Sequence, residues 1–138
     1  MQPRAKLFIS TADCEGVFGE GKWRLLCAVK ELGSISKAAQ SLGRSYRKAW
    51  GDIKRAEAAL GQPLIIKARG GAAGGRSMLT DYCEKVLTAW AKHRTQMHAA
   101  LEKSYKSNLQ TIFGPPDLCI GGANNHSPRP RFPGNEAA

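Results

Sequence analysis

Arginine and lysine side chains recur on one side of a segment between residues 45 and 60. Read at 3.6 residues per turn, this segment is an amphipathic helix whose cationic residues are Arg44 at its entrance, then Arg47, Lys48, Lys54 and Arg55. Its other face is predicted to be buried and contains Tyr46, Ala49, Trp50, Ile53, Ala56 and Leu60. Arginine can pair with O6 and N7 of guanine in the major groove, and lysine can neutralise phosphate. The pattern therefore predicts a helix that binds double-stranded DNA.

A second short helix precedes this one, and a glycine turn joins the two. Ser36 is predicted to cap a helix over residues 37–42, because a serine hydroxyl accepts a free backbone N–H at a helix start. Gly43 is predicted to end that helix in the left-handed conformation, and Ser45 to cap the next one. We interpret residues 33–50 as a helix-turn-helix whose second helix is the recognition helix. Ser36 and Ser45 are added to the expected DNA contacts.

A basic β-hairpin is predicted directly after the recognition helix. The β-branched run at residues 64–66 indicates a strand that ends near Arg69, residues 70–75 are a glycine-rich tip, and residues 77–79 return as a second strand. Lys67, Arg69 and Arg76 stand at its mouth. Such a wing can lie along phosphates or reach the minor groove. An early strand at residues 6–11 is expected to complete its sheet.

Two further helices frame this motif. A first helix is predicted over residues 20–32 with Gly33 as its stop, and it closes a core of Leu26, Val29, Leu42, Trp50 and Ile53. Thr80 is predicted to cap a long helix that ends at residue 106. Its apolar stripe consists of Cys83, Leu87, Trp90, Met97 and Leu101. We expect this stripe to pair with its twofold mate in a homodimer, and the alternative is that it folds back on its own domain.

Composition limits the function classes. The 138 residues carry a net charge of +10, which favours a polyanionic partner. The four cysteines show no paired spacing, so reduced thiols are expected, and no signal peptide or membrane span is predicted. The expected divisions are an extension at 1–18, the DNA-binding domain at 19–80, the dimerisation helix at 81–106 and a disordered Pro/Gly-rich tail at 107–138. We expect a cytoplasmic protein with a mainly α fold and a small β-hairpin wing.

One combination of motifs resembles the pattern of a known family. It consists of serine, tyrosine, alanine and tryptophan at positions 45, 46, 49 and 50, then the glycine-rich wing and Leu79-Thr80. They are similar to the N-terminal winged helix-turn-helix of ModE, the molybdate-dependent transcriptional regulators, and more distantly to LysR-type regulators. The resemblance implies a dimer formed through long helices that binds palindromic operators of molybdate transport or molybdoenzyme genes. Arg44 departs from the family, which commonly has an aliphatic residue there. The family's C-terminal oxyanion-binding domains have no counterpart after residue 106, so we expect no small-molecule effector to bind this chain.

Enzymatic alternatives are weaker. Residues 70–77 differ by one residue from a phosphate-binding P-loop, but Arg76 stands where the lysine would be and no alternating strands and helices follow. His93 and His98 do not share a helix face as metal ligands would. The spacing of the other polar residues does not indicate a catalytic triad or a pair of catalytic carboxylates. We therefore predict no enzyme, no metal and no cofactor. The alternative function is that of an architectural protein that binds DNA regardless of sequence.

Overall fold

The computed structural model describes residues 1–68 and 76–115. In chain order the elements are β1 (Phe8–Ile9), β2 (Phe18–Gly19), α1 (Glu20–Leu32), α2 (Ile35–Ser41), α3 (Tyr46–Leu60), β3 (Ile65–Ala68), β4 (Arg76–Leu79), α4 (Asp81–Asn108) and α5 (Gln110–Phe113). The predicted fold class, mainly helical with a small antiparallel hairpin and a long helix after it, is confirmed. The predictions made for Arg69, for residues 70–75 and for residues 116–138 lie outside the described residues.

Helix ends follow the local signals closely. Gly33 and Gly61 end α1 and α3 in the left-handed conformation, with φ of 70° and 67°. The Ser45 hydroxyl accepts the Lys48 backbone N–H, and the Thr80 hydroxyl accepts that of Cys83. These four ends agree with the sequence prediction. Such ends can be recognised from the sequence because each cap acts within a few residues of the helix end.

The start of α2 differs from the prediction by two residues. Ser34, not Ser36, is the N-cap, and its hydroxyl accepts the backbone N–H of Lys37 at 3.3 Å. Ser36 lies inside the helix with an exposed side chain. The earlier serine is the better cap because it leaves Ile35 as the first helical residue, which is then buried in the core.

The turn between α2 and α3 has two capping hydrogen bonds. Gly43 has a φ of 65°, and its N–H donates to the carbonyl of Gln40 at 3.1 Å. The N–H of Arg44 donates to the carbonyl of Ala39 at 2.9 Å. This pair of bonds is the Schellman arrangement, which favours glycine at the left-handed position. The turn places the start of α3 directly after α2.

The core lies among α1, α2, α3 and the start of α4. Its largest fully buried side chains are Leu25, Leu26, Val29, Ile53, Leu64 and Cys83. Leu26, Val29 and Ile53 were predicted core residues, whereas Leu42 and Trp50 are only partly buried and pack against its edge. Tyr46 was predicted to be buried and this is wrong, because its side chain is 46% exposed. It belongs to a first turn of α3 that projects beyond the core.

The two small sheets are separate. In the wing hairpin, Ile65 pairs with Leu79 and Lys67 with Ser77, as an antiparallel ladder. β1 pairs instead with β2, through Phe8 with Gly19 and Ile9 with Phe18. The expectation that the early strand completes the wing sheet is therefore wrong. β2 ends where α1 begins, so β1 is held at the N-terminus of α1.

The first half of α4 packs on the domain itself. Cys83, Leu87 and Trp90 are buried in the core, so three of the five predicted dimerisation residues contact their own domain, as in the alternative interpretation. Arg94 fixes this half to α1, because its Nε donates to a carboxylate oxygen of Glu20 at 2.5 Å. Met97 is 41% exposed and Leu101 is half-buried.

The end of α4 is longer than predicted. Residues 107 and 108 complete α4, and Gln110–Phe113 form α5, so most of the described part of the predicted disordered tail is helical. Tyr105 explains this result, because its side chain is buried and its hydroxyl donates to the carbonyl of Gly114 at 3.0 Å. Among the described residues, no helix is both long and apolar enough to span a membrane.

Candidate nucleic-acid interface

The first turn of α3 is the most exposed part of the helix-turn-helix. The side chains of Ser45, Tyr46, Arg47 and Lys48 are all exposed in succession. The turn is nevertheless well ordered by hydrogen bonds, since Ser45 accepts the Lys48 N–H at 3.2 Å and the Ala49 N–H donates to the Ser45 carbonyl. An exposed, capped first turn can enter the major groove, where recognition helices contact bases with their N-terminal residues.

Ion pairs within the chain divide the predicted cations of α3 into two groups. Lys54 is paired with Glu57 at 2.8 Å, and Arg55 is paired with Asp52. In residues 1–68 and 76–115, Arg47 and Lys48 have no carboxylate partner. A cation whose charge is not balanced by a nearby carboxylate attracts phosphate more strongly. Arg47 and Lys48 are therefore the cations of α3 best placed to bind DNA.

Arg44 is turned inwards. Its Nη1 donates to the carbonyl of Gly21 at 3.2 Å, and its side chain is half-buried. This contact fixes the turn between α2 and α3 to the first turn of α1. Arg44 also lines a cavity of about 390 Å³ together with Lys6, Lys22 and Lys48. Its contact with α1 suits a residue that positions the recognition helix, and its predicted DNA contact remains a prediction.

The two described cations of the wing, Lys67 and Arg76, also differ in their surroundings. The Lys67 Nζ lies over the indole ring of Trp50, at 4.3 Å from the ring centroid. Arg76 is exposed at the start of β4. Lys67 pairs with Ser77, the neighbour of Arg76 on β4, so in the described part of the hairpin Lys67 and Arg76 point to opposite faces. Arg69 lies outside the described residues, and Ser36 is exposed on α2.

Glu57 anchors the wing to the recognition helix. One of its carboxylate oxygens accepts the backbone N–H groups of Leu64 and Ile65 at 3.0 and 3.3 Å, and the other accepts the ammonium of Lys54. Burial raises the pKa of Glu57, but these three hydrogen bonds outweigh it and hold the pKa below its usual range. The carboxylate is thus ionised at neutral pH and fully engaged.

Three residues of this surface were missed from the sequence. Tyr46 is exposed beside Arg47, Trp50 contacts the wing lysine, and Glu57 holds the start of β3. Tyr46 was assigned to the buried face by helical periodicity, which does not tell how far a helix projects beyond its neighbours. For Glu57, a single acidic residue near the end of a basic helix was the available signal.

The P-loop interpretation is also tested by the hairpin. In a P-loop a strand is followed by a glycine-rich loop and then by a helix. Here Arg76 and Ser77 lie in β4, which pairs antiparallel with β3, so a strand follows the glycine-rich segment. Within the described ranges, no group of three His, Cys, Asp or Glu side chains could hold a metal ion.

An exposed recognition helix, preceded by a shorter helix and followed by a β-hairpin, defines the winged helix-turn-helix class of DNA-binding domains. Residues 21–84 match the family described as bacterial regulatory helix-turn-helix protein, lysR family. This match assigns residues 21–84, a little under half of the chain, to a LysR-type helix-turn-helix DNA-binding domain. The fold agrees with the crystal structure of a CbnR_DBD–DNA complex, with a TM-score of 0.50 at 21% identity, over 63% of this chain and 94% of that one.

Curated relatives connect this domain with molybdenum proteins. The chain is 32% identical over 108 residues to the molybdenum transport protein ModE of Azotobacter vinelandii, which covers 78% of this chain and 37% of that protein. It is 39% identical over 91 residues to the molybdenum-pterin-binding protein MopB of Rhodobacter capsulatus, which covers 66% of this chain and 33% of that protein. The chain thus spans about a third of the length of these relatives.

Proposed function

We propose that this chain is a cytoplasmic transcriptional regulator that binds specific DNA sites as a homodimer and controls genes of molybdate transport or of molybdoenzymes. The observation that carries the proposal is the exposed first turn of α3, where Arg47 and Lys48 have no carboxylate partner in the described part of the chain. The molybdenum connection is supported by the names of the relatives, ModE and MopB.

The roles within the interface follow from the contacts. Arg47 reads bases in the major groove, helped by Ser45 and Tyr46 in the same turn, because arginine can bind guanine with two hydrogen bonds. Lys48, Lys67 and Arg76 bind phosphates. Phosphate contacts add affinity on any sequence, whereas base contacts separate one sequence from another.

The dimer in this proposal is formed beyond the core-packed half of α4. Met97 is 41% exposed there, and α5 carries Ile112 and Phe113 with 73% and 51% exposure. Light scattering on the purified chain measures the oligomeric state directly, and a monomer at all concentrations would remove the dimer from the proposal. The absence of a small-molecule effector on this chain stays a prediction, and molybdate added to the binding assay tests it.

The function is tested by mapping bound DNA across the genome of the native host and by competing the recovered sites against random duplex. Sharp palindromic peaks near molybdate transport or molybdoenzyme genes are the expected result. Sharp peaks at other genes would contradict the molybdenum assignment, and equal affinity for recovered sites and random duplex at fixed salt would identify an architectural protein.

The direct-readout assignment is tested with Arg47→Ala and Lys67→Ala. Arg47→Ala should weaken binding to the preferred site by about 1–3 kcal/mol and relax specificity. Lys67→Ala should weaken binding to all duplexes alike. Lys92→Ala, which removes an exposed lysine of α4, is the control for the change in net charge. If Arg47→Ala and Lys67→Ala change specificity in the same way, the assignment of base contacts to Arg47 is wrong.

A further inference from the structure

Trp50 lies at the contact between the recognition helix and the wing. It is half-buried on α3, where it packs against the edge of the core. Two ammonium groups lie over its indole ring, that of Lys54 at 4.5 Å and that of Lys67 at 4.3 Å from the ring centroid. These distances are within the range in which a cation is attracted by the ring quadrupole. One indole thus contacts a lysine of the helix and a lysine of the wing.

The two lysines differ in charge balance. Lys54 also contacts the carboxylate of Glu57 at 2.8 Å, so its charge is neutralised locally. Lys67 has no carboxylate within ion-pair distance in residues 1–68 and 76–115. An indole ring carries no net charge, and it therefore orients the Lys67 ammonium without neutralising it. In the described part of the chain, no carboxylate therefore competes with a phosphate for the Lys67 ammonium.

The backbone around Lys67 is fixed as well. Glu57 accepts the N–H groups of Leu64 and Ile65, so the start of β3 is held to the end of α3. On the paired strand, Ser77 lies opposite Lys67 and its N–H donates to the carbonyl of Gly33 at 2.9 Å. The backbone on both sides of Lys67 is therefore tied to α3 and to the end of α1. These backbone hydrogen bonds do not fix the long, flexible side chain of Lys67, which is instead contacted by Trp50.

We propose that Trp50 is a positioning residue for DNA binding, which holds the Lys67 ammonium at a fixed offset from the first turn of α3 so that both bind the same duplex. The proposal rests on the proposed function, because it assigns Lys67 to a DNA phosphate. A lysine that is ordered before binding loses less side-chain entropy when it meets a phosphate. Trp50 thus acts on DNA through Lys67, without a DNA contact of its own.

The test is a double-mutant cycle of Trp50→Leu and Lys67→Met, with affinity for a random duplex measured as a function of salt. Each phosphate contact contributes about 0.9 to the slope of log affinity against log salt, equivalent to about an eightfold change in affinity for a tenfold change in salt concentration. Lys67→Met should lose this slope and affinity. Trp50→Leu should lose much of the same affinity but almost none of it in the Lys67→Met background. Trp50→Phe, which keeps an aromatic ring, should retain most of it.

Lys48→Met supplies the matched control, because Lys48 is an exposed lysine of α3 that does not lie over the ring. The effects of Trp50→Leu and Lys48→Met should add. Equal losses from Trp50→Leu in the presence and absence of Lys67 would overturn the proposal and leave Trp50 a purely structural residue.

A measurement on the unmodified protein avoids dependence on the folding of a variant. Protons of the Lys67 ε-methylene group should show upfield ring-current shifts in NMR spectra of the free protein, and these shifts should disappear in Trp50→Leu. Random-coil shifts for these protons would overturn the proposal. The random-duplex assay and the NMR shifts do not require a specific operator. A lack of sequence preference would therefore contradict the proposed regulator but leave the role of Trp50 intact.

Discussion

Replacement of Glu57 should show how strongly the wing is attached to the recognition helix. The carboxylate accepts two backbone N–H groups of the Leu64–Ile65 segment and the ammonium of Lys54. Hydrogen bonds to a charged group contribute about 1.5–3 kcal/mol and neutral ones about 0.5–1.5 kcal/mol. Glu57→Gln keeps one oxygen for the backbone but loses the charge and the ion pair, which is worth about 0–1 kcal/mol. We expect Glu57→Gln to lower the free energy of unfolding by about 1–2 kcal/mol.

Glu57→Ala should have the larger effect. It leaves the N–H groups of Leu64 and Ile65 without their acceptor, and the Leu64 side chain beside them is fully buried. An unsatisfied buried donor costs about 1–3 kcal/mol, so we expect a loss of about 2–4 kcal/mol. Urea unfolding followed by tryptophan fluorescence and circular dichroism measures both variants. Glu31→Gln is the control, because Glu31 is exposed and should change stability by less than about 0.5 kcal/mol.

The pH dependence provides a second readout of the same carboxylate. Because the pKa of Glu57 is below its ordinary value of 4.5 in the folded chain, its stabilising contribution is present above that value and is lost as the pH falls through the folded pKa. The stability difference between the unmodified protein and Glu57→Gln should therefore be full at neutral pH and shrink below about pH 4.5. A difference that is independent of pH, or a Glu57→Ala loss no larger than that of Glu31→Gln, would refute this reasoning.

One further substitution and one chemical modification test the recognition helix and the core. Gly51→Ala should raise the free energy of unfolding by about 0.5–1 kcal/mol, because glycine weakens a helix interior and no atom lies within 4 Å of the position its Cβ would take. Since Gly51 lies one turn from Arg47 on the same face, the added methyl should also weaken DNA binding; unchanged affinity in a fluorescence titration would show that α3 does not approach DNA closely there. Burial raises the pKa of the Cys83 thiol to about 12, so alkylation of the native protein at pH 8 should modify the half-exposed Cys14 before Cys83. Equal labelling rates by mass spectrometry would contradict the buried position of Cys83.

Much of the fold and part of the candidate site could be predicted from local sequence signals. Gly33, Gly43 and Gly61 have positive φ where the chain leaves a helix, and Ser45 and Thr80 cap the next helices. Such signals act within one turn, so they can be recognised without knowledge of the rest of the fold. The predicted cap Ser36 was wrong by two residues, because the structure uses Ser34, which leaves Ile35 as a buried first residue of the helix.

The sequence by itself determined a basic helix between two capped ends, a hairpin after it and a long helix beyond the hairpin. Only the tertiary structure decided which cations already have a partner within the chain. Arg55 pairs with Asp52 and Lys54 with Glu57, whereas Arg44 is turned towards α1. It also decided that β1 pairs with β2 and that α4 buries its first half in its own domain. The physical reason is that helical periodicity shows which residues share a face, but charge pairing and burial depend on elements distant in sequence that cover that face.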